Sequence, residues 1–107
     1  MSPLLQQITE LIDRKEVCIS EHGYDELAAD GIFVRDLIKG ISGAKLVEEY
    51  PDYIKGPCAL VLQVDRDGKP LHAVWGIPKG ATGPAVLVTA YRPDPQKWTK
   101  GFMRRKK

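Results

Sequence analysis

The spacing of the apolar residues changes period near residue 43, and no other feature limits the fold of this chain so much. Before that point Leu4, Leu5, Ile8, Leu11 and Ile12 recur at helical spacing and make one apolar stripe. After it come four β-rich runs, "AKLVEEY" (44–50), "CALVLQVD" (58–65), "PLHAVWGI" (70–77) and "AVLVTAYR" (85–92), parted by turn-forming residues. Helices followed by an antiparallel meander predict an α+β domain of two layers, with N-terminal helices packed on one face of a four-stranded antiparallel sheet.

The helix ends are marked as well. Ser2 suits the N-cap of a first helix, with Pro3 in the first helical position. Ser20 suits the cap of a second, over 21–30, which Gly31 ends; Tyr24, Leu27 and Ala28 should face inward, and Glu21, Asp25, Glu26 and Asp30 outward. A third helix near 33–40 should turn Val34, Leu37 and Ile38 inward, before "GISG" (40–43) breaks it. "VCIS" (17–20) is a short extended piece.

With 107 residues the chain fits one domain and one core. No apolar run nears the roughly 18 residues of a membrane span, and the N-terminus lacks the apolar stretch and cleavage site of a signal peptide. Cys18 and Cys58 have neither metal-binding nor redox spacing. A cytoplasmic protein with two reduced, mostly buried thiols is expected. No phosphate-binding loop, dinucleotide fingerprint or zinc spacing appears, so no cofactor and no metal is expected.

The formal net charge of +2 hides an asymmetry. Residues 97–107, "KWTKGFMRRKK", carry six of the sixteen basic residues and no acid, which leaves the rest of the chain at −4. The chain divides into a domain over 1–96 and a basic C-terminal tail over 97–107. Phosphate attraction concentrates in the tail if nucleic acid is a partner; the alternative is a solubilising, frayed terminus.

"RDGK" (66–69) reads as a two-residue hairpin with Asp67-Gly68 at its tip. Pairing Arg66 with Lys69 sets Gln63 opposite His72. Leu60, Leu62, Val64, Leu71, Ala73 and Trp75 then make the core face, and Ala59, Val61, Gln63, Asp65, His72 and Val74 the other. On the last run, Val86, Val88 and Ala90 suit the core, which leaves Leu87, Thr89 and Tyr91 beside His72. Imidazole, carboxamide, hydroxyl and phenol would share one sheet surface, the kind of cluster that transfers protons. The plainer alternative is a half-solvated face that Trp98 covers.

The pieces "ISEHGYDELAADGI" (19–32), "VEEYPDY" (47–53), "PLHAVWGI" (70–77) and "VTAYRPDPQKW" (88–98), with Phe102, Arg104 and Arg105, resemble the bacterial family DUF4258, of domains of unknown function. That family looks like a distant branch of the RelE-like, barnase-related small ribonucleases, many of them toxins of toxin–antitoxin pairs. The resemblance implies helices on one face of the sheet and RNA on the other. Where relatives carry arginines after the equivalent of His22, this chain has Glu26 and Asp30, whose carboxylates would repel an RNA backbone. The C-terminal cations would then have to replace them, or RNA cleavage has been lost.

Metal-independent RNA cleavage needs a base for the 2′-hydroxyl, an acid for the leaving 5′-oxygen and a cation for the phosphorane. His72 is the expected base or acid, with Tyr91 or His22 as its complement. Gln63 and Thr89 would orient the ring, Arg92, Arg104 and Arg105 would grip phosphate, and Trp98 would stack on a base. His72→Ala should then abolish cleavage and leave thermal unfolding nearly unchanged. The two functional expectations are an endoribonuclease of toxin–antitoxin type, with RNA and an antitoxin protein as partners, and a non-catalytic interaction domain. The latter would form a homodimer or bind an antitoxin-like protein through the same face.

Overall fold

A computed structural model describes residues 2–106. Helix α1 (Pro3–Asp13) is followed by strand β1 (Val17–Ile19), helices α2 (Glu21–Asp30) and α3 (Val34–Gly40), and a 3-10 turn (Ile41–Gly43). Strands β2 (Lys45–Tyr50), β3 (Cys58–Val64), β4 (Pro70–Gly76) and β5 (Ala85–Tyr91) complete the chain. The caps are those the sequence marks. Ser2 accepts a hydrogen bond from the Leu5 N–H, Ser20 from the Gly23 N–H, and Gly31 closes α2 in the left-handed conformation.

The architecture is α+β, but the sheet has five strands and is mixed, in the order β1-β5-β4-β3-β2. The four expected strands are antiparallel neighbours, and β1 joins them by pairing in parallel with β5. Without β1 the outer rim of β5 would present unpaired backbone groups. The "VCI" segment covers it, and the Ser20 N–H extends the pairing to the Leu87 carbonyl at 3.1 Å.

The β3–β4 register differs by one residue from the two-residue hairpin reading. Asp65, not Arg66, closes the loop: its N–H donates to the Lys69 carbonyl at 2.9 Å, and its Oδ1 accepts from the Asp67 and Lys69 N–H groups. Gly68 sits at φ +77°, as the left-handed residue of a three-residue loop. His72 therefore pairs with Leu62, and Gln63 with Leu71. A shift of one residue exchanges the faces of a strand, so Ala59, Val61 and Gln63 lie with Leu71, Ala73 and Trp75 under the helices. Leu60, Leu62 and Val64 lie with His72.

The last strand departs from strict alternation for a second reason. Between Val74↔Thr89 and Trp75↔Leu87 the register shifts at Val88, a bulge that carries one extra residue. Ala90 faces the core as expected and Thr89 and Tyr91 face away. Beyond the bulge the order reverses: Leu87 is fully buried in the helix-side core and Val86 lies on the opposite face.

The helix-side core joins Ile8, Leu11 and Ile12 of α1 to Val61, Leu71, Trp75 and Leu87 of the sheet. Tyr24, Ala28 and Ile38 do not face it; Tyr24 is 61 % exposed. The inner face of α2 is Gly23 and Leu27, because the helix lies too close to β5 for a large side chain. A Cβ on Gly23 would stand 2.8 Å from the Leu87 carbonyl oxygen. Gln63, 2 % exposed, is the one amide in this core. Its Nε2 donates to the Leu37 carbonyl of α3 at 2.8 Å and its Oε1 accepts from the Trp75 indole N–H at 3.1 Å.

Candidate functional site

The face away from the helices is not bare. After β5, Asp94 turns the chain: its Oδ1 accepts from the Gln96 N–H, and its carbonyl from the Lys97 and Trp98 N–H groups. Residues 97–106 then double back on themselves. Trp98 and Arg105 form an antiparallel bridge, the Thr99 N–H donates to the Arg104 carbonyl at 2.8 Å, and the Lys106 N–H to the Lys97 carbonyl at 2.9 Å. This basic segment lies as a strap across one half of the sheet face.

His72 lies beneath the strap with no exposed surface. Its Nε2 is 2.8 Å from the Phe102 carbonyl oxygen and its Nδ1 is 3.2 Å from the Tyr91 hydroxyl. A carbonyl only accepts, so Nε2 carries the proton, and Nδ1 accepts from the phenol. The Trp98 indole meets the ring edge-on, with centroids 4.4 Å apart, and Tyr91 does so at 5.3 Å. Burial pushes the His72 pKa below its ordinary value of 6.5, opposed by the Phe102 carbonyl and assisted by the nearby Arg105 cation. Burial also raises the Tyr91 phenol above its ordinary range. The pair is therefore neutral at pH 7: a protonated phenol donating to a neutral imidazole.

The far end of the strap is tied to the edge strand. Arg105 pairs with Glu48 of β2, which also accepts from the Tyr50 hydroxyl at 3.1 Å. The same guanidinium lies 4.9 Å from the centre of the Trp98 ring. Removing Tyr50 from water raises its phenol pKa. Beside the strap, a hollow of about 670 Å³ is lined by Tyr91, Trp98, Lys97, Arg105, Lys106 and Asp94, among others.

The expected site residues thus separate into three groups. His72, Tyr91, Trp98 and Arg105 come together, and Thr89 stands one step along the same face, paired with Val74. Gln63 does not orient His72, because the one-residue register shift puts it on the other side of the sheet, bound to Leu37 and Trp75. His22 is not with His72 either. It is exposed on the first turn of α2, 3.6 Å from Glu26, and lines a separate groove at the other end of the face.

The three arginines also differ. Arg104 is exposed in the strap turn. Arg92 is held from two sides: its backbone N–H and Nε donate to Asp30, and its Nη1 lies 3.0 Å from Asp65. Asp30 thus clasps the end of α2 to the end of β5. Phe102 and Glu48 belong to the site but were not among the sequence candidates. Phe102 contributes a main-chain carbonyl, which no side-chain pattern reports. Glu48 reaches Arg105 only because the chain between them folds into a sheet and a strap.

Neither cysteine is in a disulfide; Cys58 is buried and Cys18 is exposed, so the expectation of buried thiols holds for one of them. No helix among the described residues is long and apolar enough to cross a membrane. No curated protein and no solved structure matches the chain. The family described as "Domain of unknown function (DUF4258)" matches residues 19–92, a span that runs from β1 to the Arg92 clasp and includes His72 and Tyr91. The chain belongs to the DUF4258 family.

Proposed function

We propose that this protein is a metal-independent endoribonuclease of the toxin–antitoxin kind, with a RelE-like use of its helix-free sheet face and with its own C-terminal strap over the catalytic imidazole. One observation carries the reading: the Phe102 carbonyl oxygen lies 2.8 Å from His72 Nε2, the position a substrate hydroxyl oxygen takes when a histidine acts as base. The strap stands in for substrate. When it lifts, the ring can hold its proton on Nδ1 against the Tyr91 oxygen, and Nε2 becomes free to accept one.

RNA then lies between the sheet face and the raised strap, whose own side chains close over it. His72 Nε2 takes the 2′-hydroxyl proton, the 2′-oxygen attacks the neighbouring phosphorus, and the 5′-oxygen departs with a proton from Tyr91. A 2′,3′-cyclic phosphate and a new 5′-hydroxyl result. Arg105, released from Glu48, neutralises the phosphorane, and Arg104, Lys97 and Lys106 hold flanking phosphates. Trp98 offers a surface for a base. The strap's cations and a neutral imidazole that can take up a proton supply what the reaction needs without a metal ion.

The second reading is a non-catalytic interaction domain. It is favoured by the same ring having no exposed surface and no free nitrogen. RNA cleavage by purified protein separates the two. Glu48→Gln, which loosens the strap away from His72, should raise cleavage of single-stranded RNA several-fold, and His72→Gln should remove cleavage in both backgrounds. Cleavage that survives His72→Gln overturns the enzyme reading; no cleavage by the wild type or by Glu48→Gln supports the interaction domain.

A further inference from the structure

Where the seated strap meets the end of β5 it leaves a hollow, and we infer that this hollow is a binding site for a phosphate monoester. The ligand is a free nucleotide or the phosphorylated end of a nucleic-acid strand. It binds while the strap is down, so the site stands whether or not His72 does chemistry.

The hollow encloses about 670 Å³, within the roughly 300–1,000 Å³ of pockets that hold small ligands. Four cations line it, Arg92, Lys97, Arg105 and Lys106, against one carboxylate, Asp94. That carboxylate is already engaged, because its Oδ1 accepts from the Gln96 N–H at 2.8 Å. The excess runs through the whole segment: residues 92–106 carry six lysines and arginines and only this one acid.

The fold does not use these cations up. Lys97 and Lys106 are exposed and have no ion-pair partner among the described residues. Arg92 donates through Nε to the Asp30 carbonyl and through Nη1 to Asp65, which leaves its Nη2. Arg105 donates to Glu48 through Nη1. Neither Asp65 nor Glu48 lines the hollow.

The charge and the donors together select the ligand. A phosphate monoester brings about −1.5 to −2 charges at pH 7 and three acceptor oxygens, enough to receive several cations at once. A carboxylate brings one charge and two oxygens. Tyr91 and Trp98 line the same hollow and give an attached nucleoside aromatic surface to lie against. Tyr91 and Arg92 come from the end of β5, whereas Lys97, Arg105 and Lys106 come from the strap. A ligand that touches both sides binds the seated strap better than the lifted one, and so favours the closed form.

The test uses the full chain with adenosine 5′-monophosphate, adenosine, and oligothymidylate with and without a 5′-phosphate. None of these holds an RNA linkage, so failure of the nuclease reading leaves the outcome intact. In NMR titrations the monophosphate should shift the amides of Arg92, Gln96, Lys97 and Lys106 and saturate below millimolar concentration. Adenosine should not, and a 5′-phosphate should tighten oligothymidylate binding about tenfold. Tighter binding of the phosphorylated strand than of the mononucleotide assigns the site to strand ends; the converse assigns it to free nucleotides. Lys97→Gln with Lys106→Gln should weaken monophosphate binding about tenfold. Arg35→Gln with Lys39→Gln, which removes the same charge from exposed positions on α3, should leave it unchanged. Unchanged thermal unfolding verifies that both variants fold, and acrylamide should reach Trp98 less readily when the monophosphate is bound. The inference is overturned if adenosine binds as tightly as its monophosphate, if nothing saturates below millimolar concentration, or if both double variants weaken binding equally. Tighter binding of a glutamate-rich peptide, or easier quenching of Trp98 with ligand, overturns it too.

Discussion

His72 owes its state to three contacts that the sequence does not reveal: a hydroxyl on one nitrogen, a main-chain carbonyl on the other, and an indole packed edge-on. That the ring faces away from the helices follows from alternation, and the structure agrees. That it is sealed follows from the strap, and it changes what substitution does. The sequence reading expects His72→Ala to unfold like the wild type. The structure instead predicts a loss of about 2–4 kcal/mol, from a cavity and from two hydrogen-bonding groups left without their partner; urea unfolding measures it.

The lowered His72 pKa gives a pH dependence with a definite sign. The unfolded chain binds a proton at its ordinary value of 6.5, whereas the buried ring resists it. Stability is therefore full above that value and falls as pH drops from about 6.5 toward the lower folded value. His72→Gln should flatten the urea midpoint between pH 7.5 and pH 5. Asp65, held down chiefly by the Lys69 N–H, and Asp36, held down chiefly by Arg66, act in a separate window. Both carboxyls lie below their ordinary 3.8, so their contribution is lost only as pH falls below that value.

Elements differ in how far they can be read from the sequence. The α1 stripe, both serine caps and the Gly31 stop depend on neighbours within a turn or two, and all are where the residues put them. The hairpin is harder because two local signals compete. Asp67-Gly68 asks for a two-residue turn, but Asp65 can take two main-chain N–H groups only if the loop holds three residues. The longer loop also puts Gln63 where it satisfies both Trp75 and the end of α3. Gly68→Ala should cost about 1–2 kcal/mol for a left-handed residue with a Cβ, and Gly68→Asn less. Gly23→Ala should cost about 1–3 kcal/mol, since its Cβ must push α2 off β5.

At the scale of the whole molecule, basic charge gathers in the strap at one end of the helix-free sheet face, while the first turn of α2, with Glu21, edges the other end. The radius of gyration is 12.9 Å, close to the roughly 13 Å of a single domain of about 100 residues, so the strap adds no extended tail. It is held partly by the Arg105–Glu48 pair, whose side chains are 57 % and 36 % exposed. Such a pair contributes less than about 1 kcal/mol and weakens with salt. Glu48→Gln should thus leave global unfolding almost unchanged while acrylamide reaches Trp98 more readily, and added salt should have the same effect on the wild type.

Local chemistry settled the helices, their caps, the existence of four strands and the side of the sheet on which His72 lies, because each depends on residues a few positions apart. Tertiary structure alone decided the rest. The parallel pairing of β1, the faces of β3, the bulge at Val88 and the path of residues 97–106 depend on partners far along the chain. These are chosen by which arrangement leaves the fewest buried polar groups unpaired. His72 is reached by that choice too: the sequence puts an imidazole on the open face, and only the folded strap closes it.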